Sequence, residues 1–295
     1  VDVVWVPCFR QRDIGSASSW CRQRGLPLFF DPLISAFDKQ VNERAKFAPS
    51  SAKAQQLLAW ERKLFALADR IIADTQAHAD FFSDTLRVPA DRMSVVPVGA
   101  DEGVFTPQPA TAPGDRVEVL FYGSFVALQG AEVIVEAASR CQGSRARWCL
   151  LGDGPTRAAA ERSAATLDNV CFEPWISYEN LPARIAAAHI VLGIFGSTDK
   201  TQRVIPNKVY QALACGRPVV TATTPAFPAD LLDATDSGIS WVPAGDSQAL
   251  ANAVIALTDA AGTLAQVGTN SRRTYERYFS ESEVASALDL ALDFE

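Results

Sequence analysis

Residues 204–220, VIPNKVYQALACGRPVV, decide the fold. Pro206 suits the first turn of a helix, where its missing N–H has no intrahelical partner and its fixed φ is already helical. Val209, Ala212 and Leu213 then recur at three and four residues and make one apolar stripe. Gly216 stops the helix, and Pro218, Val219 and Val220 open a buried strand. The product is a helix N-terminus carrying Asn207 and Lys208, with unpaired N–H groups and a partial positive charge that suit an anion. The loop before it adds Lys200 and Arg203. These three cations suit a diphosphate, or else form a solvated cluster.

On either side of this helix the chain alternates. Strands are expected at residues 117–122, 147–151, 169–172, 190–194, 218–221 and 239–242. Helices are expected near 130–142, 156–166, 179–188, 206–215, 227–233 and 247–259. Such alternation means a parallel sheet with helices on both faces, a complete Rossmann-like domain. Residues 275–292, with Val284, Leu288 and Leu292 four apart, read as one terminal helix. Before this domain, QPATAPGD at 108–115 reads as a linker.

The amino-terminal part has strands expected at residues 3–6, 26–30 and 70–73. A short helix is expected at 16–24, and a long amphipathic one at 50–68 with apolar positions Leu57, Leu58, Trp60, Leu64 and Leu67. Asp74 and Thr75 read as a cap for a helix through His78 and Phe82. Asp31 follows its strand directly. Side chains just beyond the carboxyl end of a parallel strand face the ligand crevice, so Asp31 is a candidate site residue as well as a turn residue before Pro32. Arg10, Arg12, Arg22 and Arg24 lie among Trp5, Phe9 and Trp20, a combination that suits an acceptor or a membrane surface, or a solvated face. The chain starts at Val1, inside what reads as a buried strand, so an incomplete amino-terminal domain is expected. The division is 1–107, a linker at 108–116, a second domain at 117–272, and 273–295 as the terminal helix.

Composition narrows the function. A 295-residue chain with 48% hydrophobic residues can bury two cores. A net charge of −7 argues against a nucleic-acid partner, which requires a basic face. The six cysteines form no C-x-x-C pair, and Cys149 and Cys171 sit in apolar runs. No apolar run approaches the roughly 20 residues that span a bilayer. Reduced thiols and a cytoplasmic location, at most peripheral to the inner face of a membrane, are the expectation. No D-x-D pair and no GxxxxGK[ST] loop occurs, so neither a metal site held by such a carboxylate pair nor a P-loop is expected.

The runs ADRIIADT and VPADRMSVVPVGAD followed by F-T-P, and then P-N-K, Y-Q-A-L-A and C-G-R-P-V-V, resemble the retaining glycosyltransferases of family 4. The resemblance implies a GT-B fold of two Rossmann-like domains, with the terminal helix crossing back to the first. It also implies metal-independent transfer, with retention of configuration, from a nucleotide-diphospho-sugar to a saccharide or lipid-linked saccharide acceptor, and no cofactor. On this basis Gly123, Ser124 and Gln129, then Gly152, Asp153 and Gly154, then Lys200, Arg203, Asn207 and Gln211 are donor contacts. Trp175 and Ile176 lie where the family holds the base. Asp31 and Lys208 are the candidate catalytic residues, Asp31 roughly where many members have a histidine. His78 and His189 read as structural.

Two departures from the family stand out. It usually has an arginine after the first-strand glycine and a lysine before the next glycine, where this chain has Ser124 and Gln129. Lys208, with Lys200 or Arg203, is therefore expected to supply the positive charge that the leaving group needs. The family's paired glutamates fall on Arg203 and Gln211. Gln211 can accept a ribose hydroxyl through its amide oxygen, whereas Arg203 accepts nothing. These departures suggest a divergent subgroup. Two rival readings are a non-catalytic sugar-nucleotide-binding or assembly protein and a GT-B sugar-nucleotide epimerase.

Overall fold

The structure is a computed structural model that describes residues 2–109 and 112–293. It divides into two compact units. The first comprises residues 1–97, 198–204 and 284–295; the second comprises 98–197 and 205–283. Residues 98–107, expected with the first domain, thus contact the second. Residues 198–204, expected with the second, contact the first. Of the expected linker 108–116, residues 110 and 111 lie outside the described residues.

The first unit is built on four parallel strands, β1 (Val4–Val6), β2 (Leu28–Phe30), β3 (Arg70–Ala73) and β4 (Met93–Val95), in that order. The connecting helices are α1 (Ile14–Arg24), α2 (Ala52–Phe65) and α3 (Gln76–Leu86). Gly25, in the left-handed conformation at φ 65°, ends α1. Ser51 caps α2 by accepting from Ala54 N–H (3.2 Å), and Thr75 caps α3 by accepting from His78 N–H (3.1 Å). Phe30, Phe65 and Phe82 meet edge to face, with centroids 5.1 and 5.3 Å apart. Each such buried ring contributes about 1.5–3 kcal/mol. The buried stripe of α2 is Ala54, Leu58, Glu61 and Phe65, while Trp60, expected on it, is exposed. A π-helical stretch at Asp38–Glu43 had no apolar periodicity to announce it.

The second unit carries six parallel strands, β5 (Val117–Gly123), β6 (Ala146–Gly152), β7 (Val170–Glu173), β8 (Ile190–Leu192), β9 (Val219–Ala222) and β10 (Ile239–Val242). Their order is β10-β9-β8-β5-β6-β7. The chain moves outward from β5 to β7, returns to the middle, and moves outward the other way. β5 and β8 are therefore the strands at which the winding reverses, where parallel sheets open a ligand crevice beyond their carboxyl ends. β5 pairs with β8 at Val119–Ile190 and Leu120–Val191, and its residues 121–123 run on past that ladder. Helices α4 (Ala131–Arg140), α5 (Arg157–Ser163), α6 (Leu181–Ala187), α7 (Asn207–Ala214), α8 (Ala229–Leu232) and α9 (Ser247–Asp259) follow the strands. One sheet face packs Phe121, Phe125, Trp148 and Val254; the other packs Leu120, Tyr122, Val209 and Tyr210.

The expected terminal helix is two helices, α10 (Leu264–Tyr278) and α11 (Glu281–Leu292). They part at Phe279 and Ser280. Phe279 is buried edge-on against Tyr210, with centroids 4.9 Å apart, and Ser280 Oγ accepts from Glu283 N–H (3.4 Å) to start a new helix. The S-x-x-E spacing of Ser280 and Glu283 is a capping signal that the helical periodicity across it conceals. α10 stays with the second unit, where Tyr275 O–H donates to Ala100 C=O (3.1 Å). From Val284 onward α11 belongs to the first unit, where Ala291 packs on Phe29 and Ile72. Among the described residues no single helix is long and apolar enough to cross a membrane.

Candidate functional site

The site of the second unit forms where β5, β6, β7 and β8 end and α7 begins. Pro206 is the N-cap of α7, so the helix starts at Asn207, one residue later than expected. Val209 N–H is satisfied by Pro206 C=O (2.8 Å), and the N–H groups of Asn207 and Lys208 have no acceptor among the described residues. Asn207 is exposed beside them. The helix ends as read, with Gly216 at φ 65° and Arg217 N–H bonded to Ala212 C=O (2.9 Å).

Lys208 points inward. It is 5% exposed, and its Nζ lies 4.0 Å from the centroid of the Phe121 ring and 5.9 Å from that of Tyr122. No hydrogen-bond or carboxylate partner reaches this Nζ among the described residues. Burial alone pushes its pKa well below the usual lysine range. An amine over two aromatic faces at the strand reversal, with burial disfavouring its charged form, is set to take up a proton when an anion comes from outside the chain.

Tyr122, the last residue before Gly123, reaches Gln211. Its buried O–H donates to Gln211 Oε1 (2.9 Å), and burial raises its pKa well above the usual value, so it stays a donor. The Gln211 oxygen, expected to accept a ribose hydroxyl, thus accepts from Tyr122 and keeps a second lone pair, and the amide N–H₂ can donate. The sequence signal for Tyr122 was its position on the residue before the strand-end glycine.

The glycines of the loops serve close packing of one loop on another. A Cβ on Gly152 would lie 2.0 Å from Gly123 C=O, and one on Gly154 would lie 1.7 Å from Ser124 C=O. One on Gly123 would strike the Gln129 side-chain oxygen at 2.5 Å. Protein backbone and the Gln129 amide thus fill the space beside these glycines. Phe125, in the left-handed region at φ 43°, is held by Phe121 (centroids 5.3 Å) and by Thr156, whose N–H and O–H both donate to Phe125 C=O (2.9 and 2.7 Å). Asp153 turns back to accept from Gly154 N–H (2.7 Å). Arg157, overlooked in the sequence, donates to the carbonyls of Gly152 and Glu173 and so ties the exits of β6 and β7 together.

Beyond β7, Trp175 is 55% exposed, and Ile176 is partly buried against the core. Only Trp175 offers an open face. Arg184 binds Glu173 through both carboxylate oxygens (2.8 Å each) and Glu118 (2.6 Å), fixing the strand that leads to this tryptophan.

Lys200 and Arg203 belong to the first unit. Lys200 is buried in an ion pair with Glu43, and Arg203 pairs with Asp38 (2.6 Å) and lies 4.6 Å from the Phe81 centroid. Each of these charges, expected to meet the donor, is paired with a carboxylate of the π-helical stretch. Asp31 lies after β2 in the same unit. Burial raises its pKa first, Leu33 N–H lowers it, and neighbouring Asp74 raises it again. Asp74 pairs with Nδ1 of buried His78.

The chain is similar to known proteins over most of its length. Residues 1–99 match the family described as "Glycosyl transferase 4-like domain", and residues 116–260 match "Glycosyl transferases group 1". The chain belongs to the group 1 glycosyltransferases. It is 26% identical over 281 residues to the D-inositol 3-phosphate glycosyltransferase of Xylanimonas cellulosilytica, covering 88% of this chain and 66% of that protein. It is 29% identical over 212 residues to the putative colanic acid biosynthesis glycosyltransferase WcaL of Escherichia coli, covering 68% and 52%. The chain thus spans about half to two thirds of the length of these relatives. The crystal structure of Anabaena HepE with UDP and glucose superposes with a TM-score of 0.74 at 17% identity, over 99% of this chain and 78% of that one. Sucrose-phosphate synthase of Thermosynechococcus elongatus gives 0.73 at 19% identity, over 98% and 72%. Both likenesses establish the GT-B fold of this glycosyltransferase chain.

Proposed function

We propose that this glycosyltransferase chain binds a nucleotide-diphospho-sugar at the carboxyl edge of the second sheet and transfers the sugar, with retention of configuration and without a metal ion, to a saccharide or lipid-linked saccharide. The observation that carries the reading is the unpartnered Nζ of Lys208, buried at the strand reversal, on a helix whose N-terminal N–H groups are open. In the reaction the bond between the sugar's anomeric carbon and the diphosphate oxygen breaks, and charge grows on that oxygen. The Lys208 ammonium and the Asn207 and Lys208 N–H groups meet this charge. A single well-placed donor contributes about 2.7–4 kcal/mol there. Trp175 supplies a face for the base, and the Gln211 amide N–H₂ a donor for the ribose.

The acceptor hydroxyl forms the new bond to the same face of the anomeric carbon and gives up its proton. Asp31, whose partly buried carboxylate has a raised proton affinity, is suited to take it. In the same unit a groove of about 750 Å³ is lined by Arg12, Lys46 and Lys53 over Phe47, Leu57 and Trp60, which favours an acceptor carrying both an anion and an apolar portion. A location on the cytoplasmic side of a membrane fits such an acceptor.

The decisive experiment is turnover with UDP-, GDP- and ADP-sugars in the presence of chelator, with the product's anomeric configuration read by NMR. Product with the donor's configuration supports the reading; inverted product or metal-dependent turnover refutes the corresponding part of it. A second reading, binding without transfer, draws on Ser124 and Gln129 in place of the family cations and on the balanced charge of Arg203. It predicts nucleotide-sugar binding with no product.

A further inference from the structure

The strands β6 and β7 bring together two cysteines that the donor site does not use. Cys149 and Cys171 are partners in the parallel register, and their sulfurs lie 2.6 Å apart. Neighbouring strands run about 4.7–4.9 Å apart, inside the range of about 4.4–6.8 Å between Cα atoms that a disulfide bridges. β7 is the edge strand of the sheet, and Cys171 is half-buried there, while Cys149 lies beneath it in the core. The pair is asymmetric. The bond shared with Cys149 and the neighbouring Arg147 guanidinium hold the Cys171 thiol down to about 7, against burial, whereas Cys149 is pushed far up.

Glu173 completes a group of three with ligand atoms within 4.8 Å, which raises the alternative of a metal ion. Two observations oppose it. Both Glu173 oxygens are already bound by Arg184, and the guanidinium groups of Arg184 and Arg147 place positive charge where a cation would sit. A cationic setting instead favours a thiolate, the nucleophilic form of cysteine.

We propose that Cys149 and Cys171 are a modification site that hydrogen peroxide converts into a reversible disulfide, with Cys171 reacting first. The Cys171 thiolate attacks the peroxide; an S–O bond forms, the O–O bond breaks, and the departing hydroxide takes a proton to become water. The Cys149 sulfur then attacks the resulting sulfenic acid; the S–S bond forms, the S–O bond breaks, and the second hydroxide leaves with the Cys149 proton as water. Two thiols are oxidised by two electrons and one peroxide is reduced to two waters. The bridge would fix the strand that leads into Trp175.

The test treats the reduced full chain with hydrogen peroxide, alkylates the remaining thiols and maps peptides by mass. The expected result is loss of two alkylatable thiols, a linked Cys149–Cys171 peptide, and full recovery with dithiothreitol. In Cys149→Ser the sulfenic acid should persist at Cys171 and be trapped by dimedone. Retention of all six thiols, a different linked pair, over-oxidation of Cys171 with Cys149 still alkylatable, or protection of both thiols by stoichiometric zinc instead would each overturn the proposal. The mapping on the unaltered chain decides the matter even if the variant fails to fold.

Discussion

Lys208 owes its character to where α7 begins. One residue of Pro206 before the helix sets a lysine on the inward side of the first turn, and β5, running past its ladder with β8, presents Phe121 to it. Because the folded pKa lies below the unfolded value of about 10.4, the unfolded chain binds more protons in the interval between them. Stability therefore rises as pH increases through that interval and is reduced below it. On the proposed function, a diphosphate at Nζ restores the charged form. Nucleotide binding above the depressed pKa should accordingly take up a proton, visible as a binding heat that varies with the ionisation heat of the buffer; heat independent of buffer would contradict it. Tyr122→Phe tests the neighbouring contact. Losing the O–H that holds Gln211 should cost about 1 kcal/mol of stability in denaturant titration and several-fold in nucleotide affinity. Unchanged affinity would remove Gln211 from the site.

At the scale of elements, Glu61 shows how a helix organises a loop. It occupies a core position of α2, and its carboxylate accepts from Ser35 O–H (2.6 Å), Ala36 N–H (2.6 Å) and Phe37 N–H (2.9 Å). That loop leads directly into the π-helical stretch whose Asp38 and Glu43 hold Arg203 and Lys200. Glu61→Ala leaves three donors without an acceptor and should lower stability by about 3 kcal/mol, read as a drop in the urea midpoint. A midpoint within error of the unaltered chain would show the loop to be held by other means. The sequence offered no such role for Glu61, because periodicity marks apolar residues, and a buried carboxylate earns its place only through donors 24–26 residues away.

Over the whole molecule, the second sheet was the most legible part. Runs such as VEVLFYG and RWCLLG are apolar on both faces, and a strand buried on both faces announces itself without any partner being known. All six of its strands lie within two residues of where the sequence placed them at either end. The helix at residues 247–259 was read with its observed bounds. What stayed hidden depends on contacts between distant residues: the membership of residues 198–204 in the first unit through ion pairs, and α10, whose buried stripe is built largely of Gly268, Ser271 and Thr274 rather than of large apolar residues. In the candidate site the glycine turns and the helix N-terminus were legible. The inward turn of Lys208, the engagement of Gln211 by Tyr122 and the balanced charges of Lys200 and Arg203 were not, since each rests on a neighbour that only the fold supplies.

The most direct test of the account is calorimetric titration of UDP, GDP and ADP into the unaltered chain and into Lys208→Met, which removes the charge while filling similar space. The account predicts micromolar binding of one nucleotide and at least a tenfold loss in the variant, about 1.4 kcal/mol. Equal affinity in the two proteins, or no binding to either, would contradict it.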